Sequence, residues 1–200
     1  HSKGAGEEGE ICISGPVLGD GYLNDPEATA YSFKDNWFHS GDLGFFKEME
    51  VELEDGSNIK GNFFFIVGRI KEIIIKGGVN ISPSAIEDVL HKNFPEIGEV
   101  SVVGIPDMRM GEEIAAVIVP KEGISRDIIE QKFNDHDPKL FGLSPYEIPK
   151  QIFFMESLPK TSTGKIQRVE VKRIISQRIK DQKVTDLFVR EINPSEAKQL

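Results

Sequence analysis

The hydrophobic pattern of this chain changes its period partway along, and this change limits the folds that are open to it. Before Arg69, apolar residues come in short alternating runs such as Gly9–Gly15, which are typical of β-strands stopped by turns. From Ser82 onward, helical and strand patterns alternate. The sequence therefore predicts a part made of short antiparallel strands, like a barrel or a piece of one, followed by an α+β module with the order βαββαβα. The first helix of that module has an apolar face formed by Ile86, Val89, Leu90 and Phe94.

The order of the elements predicts a domain boundary near residues 68–71. The predicted strands cover residues 9–15, 37–38, 51–53, 63–67, 69–76, 100–105, 114–119 and 151–155. The predicted helices cover residues 24–33, 82–94, 124–133 and 169–184. We therefore divide the chain into residues 1–68, residues 69–184 and a tail, 185–200.

The composition excludes several classes of protein. With 38% hydrophobic and 28% charged residues the chain has the balance of a globular protein, and no apolar run approaches the roughly 18 residues of a membrane helix. A net charge of -9 argues against general nucleic-acid binding. Cys12 is the single cysteine, which excludes an internal disulfide framework and favours a reducing, cytoplasmic location. The four histidines are scattered, so no metal site is predicted.

The charge is unevenly distributed along the chain. Residues 150–183 carry nine basic and three acidic side chains, whereas residues 1–60 carry four basic and thirteen acidic ones. A basic stretch on an acidic body can face a nucleic acid, a membrane or an anionic small molecule, or it can be a solvated helix. Few aromatic residues accompany it, so nucleic acid is the weakest of these alternatives.

Four local elements could carry chemistry, and each has an ordinary structural alternative. Asp42, in a predicted polar turn, could accept hydrogen bonds from a vicinal diol such as ribose, or could serve only the turn. Arg69 and Lys71 could contact phosphate or sugar, or could simply be solvated. The pair Gly77-Gly78 indicates a positive φ, a close approach of the backbone to another group, or a plain turn.

The fourth element is the hydroxyl-rich loop that ends at Lys165. Hydroxyl groups, glycine and lysine suit anionic oxygens. The loop is not a Walker A motif, because Pro159 stands where the first glycine would be and Ile166 follows the lysine in place of Ser or Thr. Lys165 is therefore expected to be a movable positive charge on a flexible loop without a dedicated phosphate cradle.

Taken in order, these elements resemble the acyl- and aryl-CoA synthetase branch of the adenylate-forming enzymes. The matching segments follow one another in family order and spacing across residues 9–168. Ser40 in place of the commoner Thr, Ala85 in place of Glu, and extra hairpin residues at about 49–62 depart from the family pattern. The segments are Gly9-Glu-Ile, Gly21-Tyr-Leu-Asn-Asp-Pro-Glu-Ala-Thr29, Trp37-Phe-His-Ser-Gly-Asp-Leu-Gly44, Gly68-Arg-Ile-Lys-Glu72, Gly78-Val-Asn-Ile-Ser-Pro83, Ile86-Glu87 and Leu158-Pro-Lys-Thr-Ser-Thr-Gly-Lys-Ile-Gln-Arg168.

The resemblance implies a two-part layout and a reaction in two halves. Residues 1–68 would be the last, β-barrel part of a large N-terminal domain, and residues 69–184 a small mobile α+β C-terminal domain. In the first half-reaction a carboxylic acid and ATP, with Mg²⁺ present, would give acyl-AMP and pyrophosphate. In the second, the thiol of CoA or of a carrier protein would displace AMP and form a thioester.

The resemblance also implies a role for each candidate residue. Lys165 would be catalytic, bridging the carboxylate and phosphate oxygens during adenylation. Asp42 and Arg69 would bind the ribose of ATP or AMP. Lys71 would be the hinge about which the C-terminal domain rotates. At the thiol approach, Gly77 and Gly78 would leave room for a slender pantetheine arm.

We therefore expect the C-terminal portion of an AMP-forming acyl-CoA synthetase, inactive without the rest of its N-terminal domain. A start at His1, with the first methionine at Met49, agrees with that expectation. The alternatives are part of an adenylation domain that loads a carrier protein, and a non-catalytic interaction module of the same fold. The sequence at residues 80–83 and 167–168 looks more like that of CoA ligases than that of peptide-synthetase adenylation domains. The sequence does not determine the acid, the thiol or the oligomeric state.

Overall fold

The computed structural model describes residues 2–135 and 142–191, and the chain divides into two units, His1–Ile73 and Ile74–Leu200. The predicted tail, 185–200, lies largely outside the described residues. Among the described residues, no helix combines the length and apolar character needed to cross a membrane. The predicted α+β class is confirmed, since each unit contains both strands and helical segments.

The first unit is organised around one long strand that pairs antiparallel with three others. Its elements are β1 (Gly9–Ile13), α1 (Pro26–Ser32), β2 (Phe33–Lys34), β3 (Trp37–Glu52), β4 (Asn58–Arg69) and a 3₁₀ turn (Ile70–Glu72). Strand β3 pairs with β1, β2 and β4. Its ladder with β4 runs without a break from Gly44 to Glu52, which faces Asn58.

Two expectations for this unit are wrong. The hairpin strands are longer than predicted, and residues 58–61, expected in the loop, belong to β4, because cross-strand pairs such as Phe45 with Phe65 continue the ladder. The polar turn expected around Asp42 lies inside β3. Gly41 has a φ of +72° there and the register shifts just after it, so a local irregularity bends the strand without ending it.

The second unit is a sheet with helices on both faces. Its strands lie in the order β6 (Val79–Ile81), β5 (Ile74–Lys76), β8 (Gly111–Pro120) and β7 (Ile97–Asp107), and β9 (Gln151–Phe154) runs parallel to β8. The run predicted as one strand at 69–76 is divided, since Arg69 ends β4, a 3₁₀ turn follows, and β5 covers only the last three residues. Strand β6 was not predicted from the sequence. The elements are β5 (Ile74–Lys76), β6 (Val79–Ile81), α2 (Pro83–Asn93), β7 (Ile97–Asp107), β8 (Gly111–Pro120), α3 (Arg126–Asp135), β9 (Gln151–Phe154) and α4 (Arg168–Glu191).

The core of this unit explains why β8 is apolar almost throughout. Alternate residues of a strand point to opposite faces, so a sheet that is covered on both faces needs apolar residues at every position. Ile114 and Ile118 pack with α2 and α3, while Val117, on the other face, packs with α4. The predicted face of α2 is confirmed, since Ile86 and its partners Leu90 and Phe94 are fully buried.

Candidate functional site

Asp42 and Arg69 are brought together as cross-strand partners on β3 and β4. Arg69 Nε lies 3.0 Å from Asp42 Oδ1, and Arg69 Nη1 donates to the carbonyl of Ser40 at 2.7 Å. The guanidinium therefore spans two acceptors and fixes the orientation of the carboxylate. Asp42 remains 26% exposed, and within residues 2–135 and 142–191 no donor occupies its Oδ2. That oxygen can accept a hydrogen bond from a ligand hydroxyl.

Glu10, Cys12 and His39 form a cluster that the sequence analysis missed. Cys12 and His39 are register partners on β1 and β3, and one ligand atom of each of the three residues lies within 4.8 Å of the others. His39 Nδ1 donates to Glu10 Oε2 at 2.7 Å, and the N–H of Gly41 donates to Glu10 Oε1 at 3.0 Å. The bond from His39, more than the bond from Gly41, holds the pKa of the Glu10 carboxyl below its usual value, although burial opposes this.

This cluster supports the strand next to Asp42. Both oxygens of Glu10 are engaged, one on His39 and one on the backbone of Gly41, so the carboxylate fixes the irregular residue that precedes Asp42. Burial raises the pKa of the Cys12 thiol, which makes it a poor nucleophile at neutral pH. The period-two spacing of Glu10 and Cys12 was the available signal that they share a face of β1.

Lys71 lies in the 3₁₀ turn that follows β4. Its side chain is exposed, and its Nζ lies 4.8 Å from the centroid of the Tyr31 ring. A backbone bond of 3.1 Å from the Ile73 N–H to the Arg69 carbonyl closes the turn. The hinge role of Lys71 stays a prediction.

Gly77 and Gly78 form the two-residue turn between β5 and β6. Their φ values are +56° and +82°, as a tight hairpin of this kind requires. A Cβ on Gly77 would lie 2.1 Å from Tyr146 Oη and 3.0 Å from Met110 Cε, whereas a Cβ on Gly78 would meet no atom within 4 Å. Both glycines are therefore needed for conformation, and Gly77 is needed for space as well.

The residue before this turn, Lys76, forms a buried ion pair. It is 2% exposed, and its Nζ lies 2.6 Å from Glu113 Oε1. The same Nζ donates to the carbonyl of Tyr146 at 2.8 Å and lies 4.9 Å from the centroid of that ring. On the solvent side, Lys150 lies 3.3 Å from Glu113 Oε2. A single lysine after three isoleucines gives no local sign of a partner in another strand, so the sequence analysis missed this pair.

The Lys76–Glu113 pair is expected to make the second unit sensitive to acid. Burial by itself would raise the pKa of Glu113, but hydrogen bonds from Lys76, the Ile114 N–H and Lys150 outweigh it, so the pKa lies below its usual value. Its contribution to stability is therefore complete above the unfolded pKa of about 4.3 and is lost as the pH falls through the folded pKa.

Urea unfolding between pH 7 and pH 3 measures this effect. The double variant Lys76→Met/Glu113→Leu replaces the pair by apolar side chains, which is often neutral or stabilising. We expect the wild-type chain to lose more free energy of unfolding below pH 4.5 than the double variant does. Parallel losses in the two proteins would contradict the assignment.

Lys165 lies at the end of a closed hairpin. Lys160 and Ile166 form its antiparallel bridge, and the Thr161 N–H donates to the Lys165 carbonyl at 2.8 Å. These bonds close the predicted loop into a hairpin, and its flexibility stays a prediction. The N–H groups of Gly164 and Lys165 donate to the carbonyl and the hydroxyl of Thr161, so these two N–H groups are not free to bind a phosphate.

The cationic side chains that flank Lys165 in sequence are engaged with carboxylates. Lys160 Nζ lies 2.9 Å from Glu99, and Lys172 Nζ lies 2.5 Å from Glu112. Lys165 is exposed, and in the part of the chain that the structure describes its Nζ has no acceptor. The hairpin thus presents one uncommitted positive charge to solvent.

A mostly buried ion pair joins the end of this hairpin to α2. Arg168, the first residue of α4, donates to both oxygens of Glu87 at 2.9 and 2.7 Å, and the Val102 N–H donates to Glu87 at 2.7 Å. Burial raises the pKa of Glu87 to about 7 and lowers that of Arg168. The contact of Arg168 with both oxygens of Glu87 offsets the free-energy cost of burying the two charges. The same contact fixes the chain at a position three residues after Lys165.

Comparison with known proteins shows which families this chain resembles. Residues 85–165 match the family described as the AMP-binding enzyme C-terminal domain. The chain is 41% identical over 163 residues to a probable CoA ligase of Humulus lupulus, covering 82% of this chain and 28% of that protein. It is 38% identical over 173 residues to the oxalate–CoA ligase of Arabidopsis thaliana, covering 85% of this chain and 29% of that protein.

Solved structures show the same likeness. The o-succinylbenzoate CoA synthetase of Bacillus subtilis, in complex with its acyl-adenylate intermediate, superposes with a TM-score of 0.65 at 28% identity, covering 85% of this chain and 31% of that one. The chain thus spans less than a third of the length of these relatives. Over 82–85% of its length the chain is similar to CoA ligases, and its residues 85–165 match the AMP-binding enzyme C-terminal domain.

Proposed function

We propose that this chain is the C-terminal portion of an AMP-forming acid–thiol ligase. The ligase joins a carboxylic acid to ATP, giving acyl-AMP and pyrophosphate, and then transfers the acyl group to a thiol, giving a thioester and AMP. The observation that carries the proposal is Lys165, an uncommitted cation at the end of a braced hairpin among lysines that are paired. Residues 1–68 would complete a larger N-terminal domain, and residues 69–184 would be the mobile domain.

Asp42 and Arg69 are proposed to hold the ribose of the nucleotide. A ribose presents two neighbouring hydroxyls, and the open Oδ2 of Asp42 can accept a hydrogen bond from one of them. Arg69 orients the carboxylate through its 3.0 Å contact. Its guanidinium also reaches the Ser40 carbonyl, so the two side chains move little when the sugar binds.

Lys165 is proposed to act in the adenylation step. The carboxylate oxygen attacks the α-phosphorus while the bond to the pyrophosphate oxygen breaks, so two anions must approach each other. A lysine ammonium between them stabilises the charge that develops on the phosphate oxygens, and this effect is large where water is excluded. Rotation at Lys71 would then remove Lys165 and bring in the turn at Gly77-Gly78.

Mg²⁺ is expected to enter with ATP, because the one group of possible ligands among the described residues, Glu10, Cys12 and His39, does not suit it. Mg²⁺ prefers oxygen ligands in an octahedral arrangement. The cluster of Glu10, Cys12 and His39 contributes one nitrogen and one sulfur, and both oxygens of Glu10 are engaged. We assign no step of the reaction to a metal held by these residues.

An assay of the complete enzyme tests the proposed function. The polypeptide that contains this chain, incubated with ATP, Mg²⁺, CoA and a panel of carboxylic acids, should release AMP only when a suitable acid is present, and a CoA thioester should accumulate. The isolated chain should release none, because it carries a small part of the nucleotide site. Acid-independent cleavage, release of ADP, or robust activity of the isolated chain would contradict the proposal. The choice between CoA and a carrier-protein thiol, and the cytoplasmic location, stay predictions.

Replacing Asp42 by alanine in the complete enzyme should raise the KM for ATP by about 10- to 100-fold, because a hydrogen bond to a charged group contributes roughly 1.5–3 kcal/mol. Steady-state kinetics with ATP varied at saturating acid measures the change. Asp55→Ala is the matched control, since Asp55 is a carboxylate bound to Ser57 in the exposed loop that joins β3 to β4. An equal rise in both variants would contradict the ribose assignment.

A further inference from the structure

Tyr146 presents its hydroxyl to the turn at Gly77-Gly78. The position that a Cβ on Gly77 would take lies 2.1 Å from Tyr146 Oη, so the hydroxyl lies directly against the backbone of the turn. Among residues 2–135 and 142–191, no group forms a hydrogen bond with this hydroxyl. A phenol that is partly buried usually has a partner for its O–H, so this one is available to a ligand at the turn.

The Lys76–Glu113 pair holds Tyr146 in this place. Lys76 Nζ binds the Tyr146 carbonyl at 2.8 Å and lies 4.9 Å from the centroid of the ring, so one ammonium group restrains both the backbone and the side chain. Glu113 in turn fixes that ammonium at 2.6 Å. The ring also packs on the core cluster that contains Ile86. Burying the Lys76 ammonium without a partner would be destabilising, so the Glu113 carboxylate is what allows Lys76 to lie beside the turn.

We propose that Tyr146 binds the thiol substrate, and that the buried Lys76–Glu113 pair positions it for that role. The inference rests on the proposed function, in which the thiol arrives at the turn formed by Gly77 and Gly78. A pantetheine arm is slender and neutral, and it carries amide groups that need hydrogen-bond partners once they leave water. The Tyr146 hydroxyl is neutral and can donate to an amide carbonyl or accept from an amide N–H.

The variant Tyr146→Phe isolates the hydroxyl, because it keeps the ring and its packing. In the complete enzyme we expect the KM for CoA to rise about 3- to 10-fold, the size of one hydrogen bond, with the rate of acyl-AMP formation unchanged. Thioester formation from supplied acyl-AMP with CoA varied measures the first quantity, and pyrophosphate release without CoA measures the second. A KM for CoA equal to that of the wild-type enzyme would overturn the binding role.

The double variant Lys76→Met/Glu113→Leu tests positioning separately from stability. Replacing a buried ion pair by apolar side chains leaves the fold intact in favourable cases, and thermal unfolding checks this. We expect the KM for CoA to rise at least as much as in Tyr146→Phe, again with adenylation unchanged. Lys150→Met is the control, because Lys150 contacts the same carboxylate from the solvent side, and its KM for CoA should stay unchanged.

The outcomes separate this inference from the function on which it rests. A folded double variant with the wild-type KM for CoA would overturn the positioning role. A parallel loss of adenylation in the double variant would also overturn it, since the effect would then be general. A wild-type enzyme that makes no acid-dependent AMP would overturn the proposed function itself, and this inference would fall with it.

Discussion

Replacing Lys165 by alanine in the complete enzyme is expected to slow adenylation by about 10²- to 10³-fold, the usual effect of removing one group that stabilises a developing oxyanion. Thioester formation from supplied acyl-AMP should remain, because acyl-AMP already contains the bond that Lys165 helps to form. Pyrophosphate release measures the first half-reaction, and the appearance of the CoA thioester from synthetic acyl-AMP measures the second.

Lys160→Ala is the matched control for this experiment. It removes the same charge from the same hairpin, but its Nζ is engaged with Glu99 at 2.9 Å, so its loss should change adenylation little. The variant Lys165→Arg tests whether a positive charge alone is enough for adenylation, because it keeps the charge while its planar guanidinium does not reproduce the contacts of an ammonium. Equal loss of both half-reactions in Lys165→Ala, or an equal effect of Lys160→Ala, would contradict the assigned role.

Gly77→Ala is expected to lower the free energy of unfolding of the chain by about 2–5 kcal/mol, the sum of a left-handed backbone penalty and an overpacking penalty. The overpacking arises because the new Cβ would meet Tyr146 Oη at 2.1 Å, and Tyr146 cannot retreat freely while Lys76 holds its carbonyl. In the complete enzyme the same change should impair thioester formation more than adenylation, since it displaces the turn.

Gly78→Ala provides the comparison, because Gly78 also has a positive φ but a Cβ on it would meet no other atom within 4 Å. It should cost only about 1–2 kcal/mol, the backbone penalty alone. Urea unfolding followed by circular dichroism gives both values. Equal destabilisation by the two substitutions would show that conformation alone requires glycine at this turn, and that the space beside Tyr146 is not constrained.

Elements whose signals are local were predictable from the residues themselves. The spacing of Ile86, Leu90 and Phe94 predicts a helix face because every residue of that face is set by the same short stretch of chain, and these side chains are fully buried. Pro159 and Ile166 ruled out a Walker A loop for the same reason. In the hairpin at Lys165, the N–H groups of Thr161, Gly164 and Lys165 are bonded within the hairpin itself.

Elements that depend on which strand pairs with which were not predictable in this way. The extent of the β3–β4 ladder depends on cross-strand partners such as Phe45 and Phe65, which lie far apart in sequence. The same holds for Cys12 and His39, whose contact depends on the register of β1 against β3. Periodicity along one strand indicates which face is buried, but it does not identify the neighbouring strand or the residue that lies opposite.

The sequence by itself determined the α+β class, the helix face of α2, the order of the family segments and the identity of Lys165, Asp42 and Arg69 as candidates. Only the tertiary structure decided what each of these side chains touches. It paired Asp42 with Arg69, left Lys165 without a partner among the described residues, and buried Lys76 with Glu113 beneath Tyr146. The physical reason is that charge neutralisation and burial depend on distances in space, which local spacing along the chain does not specify.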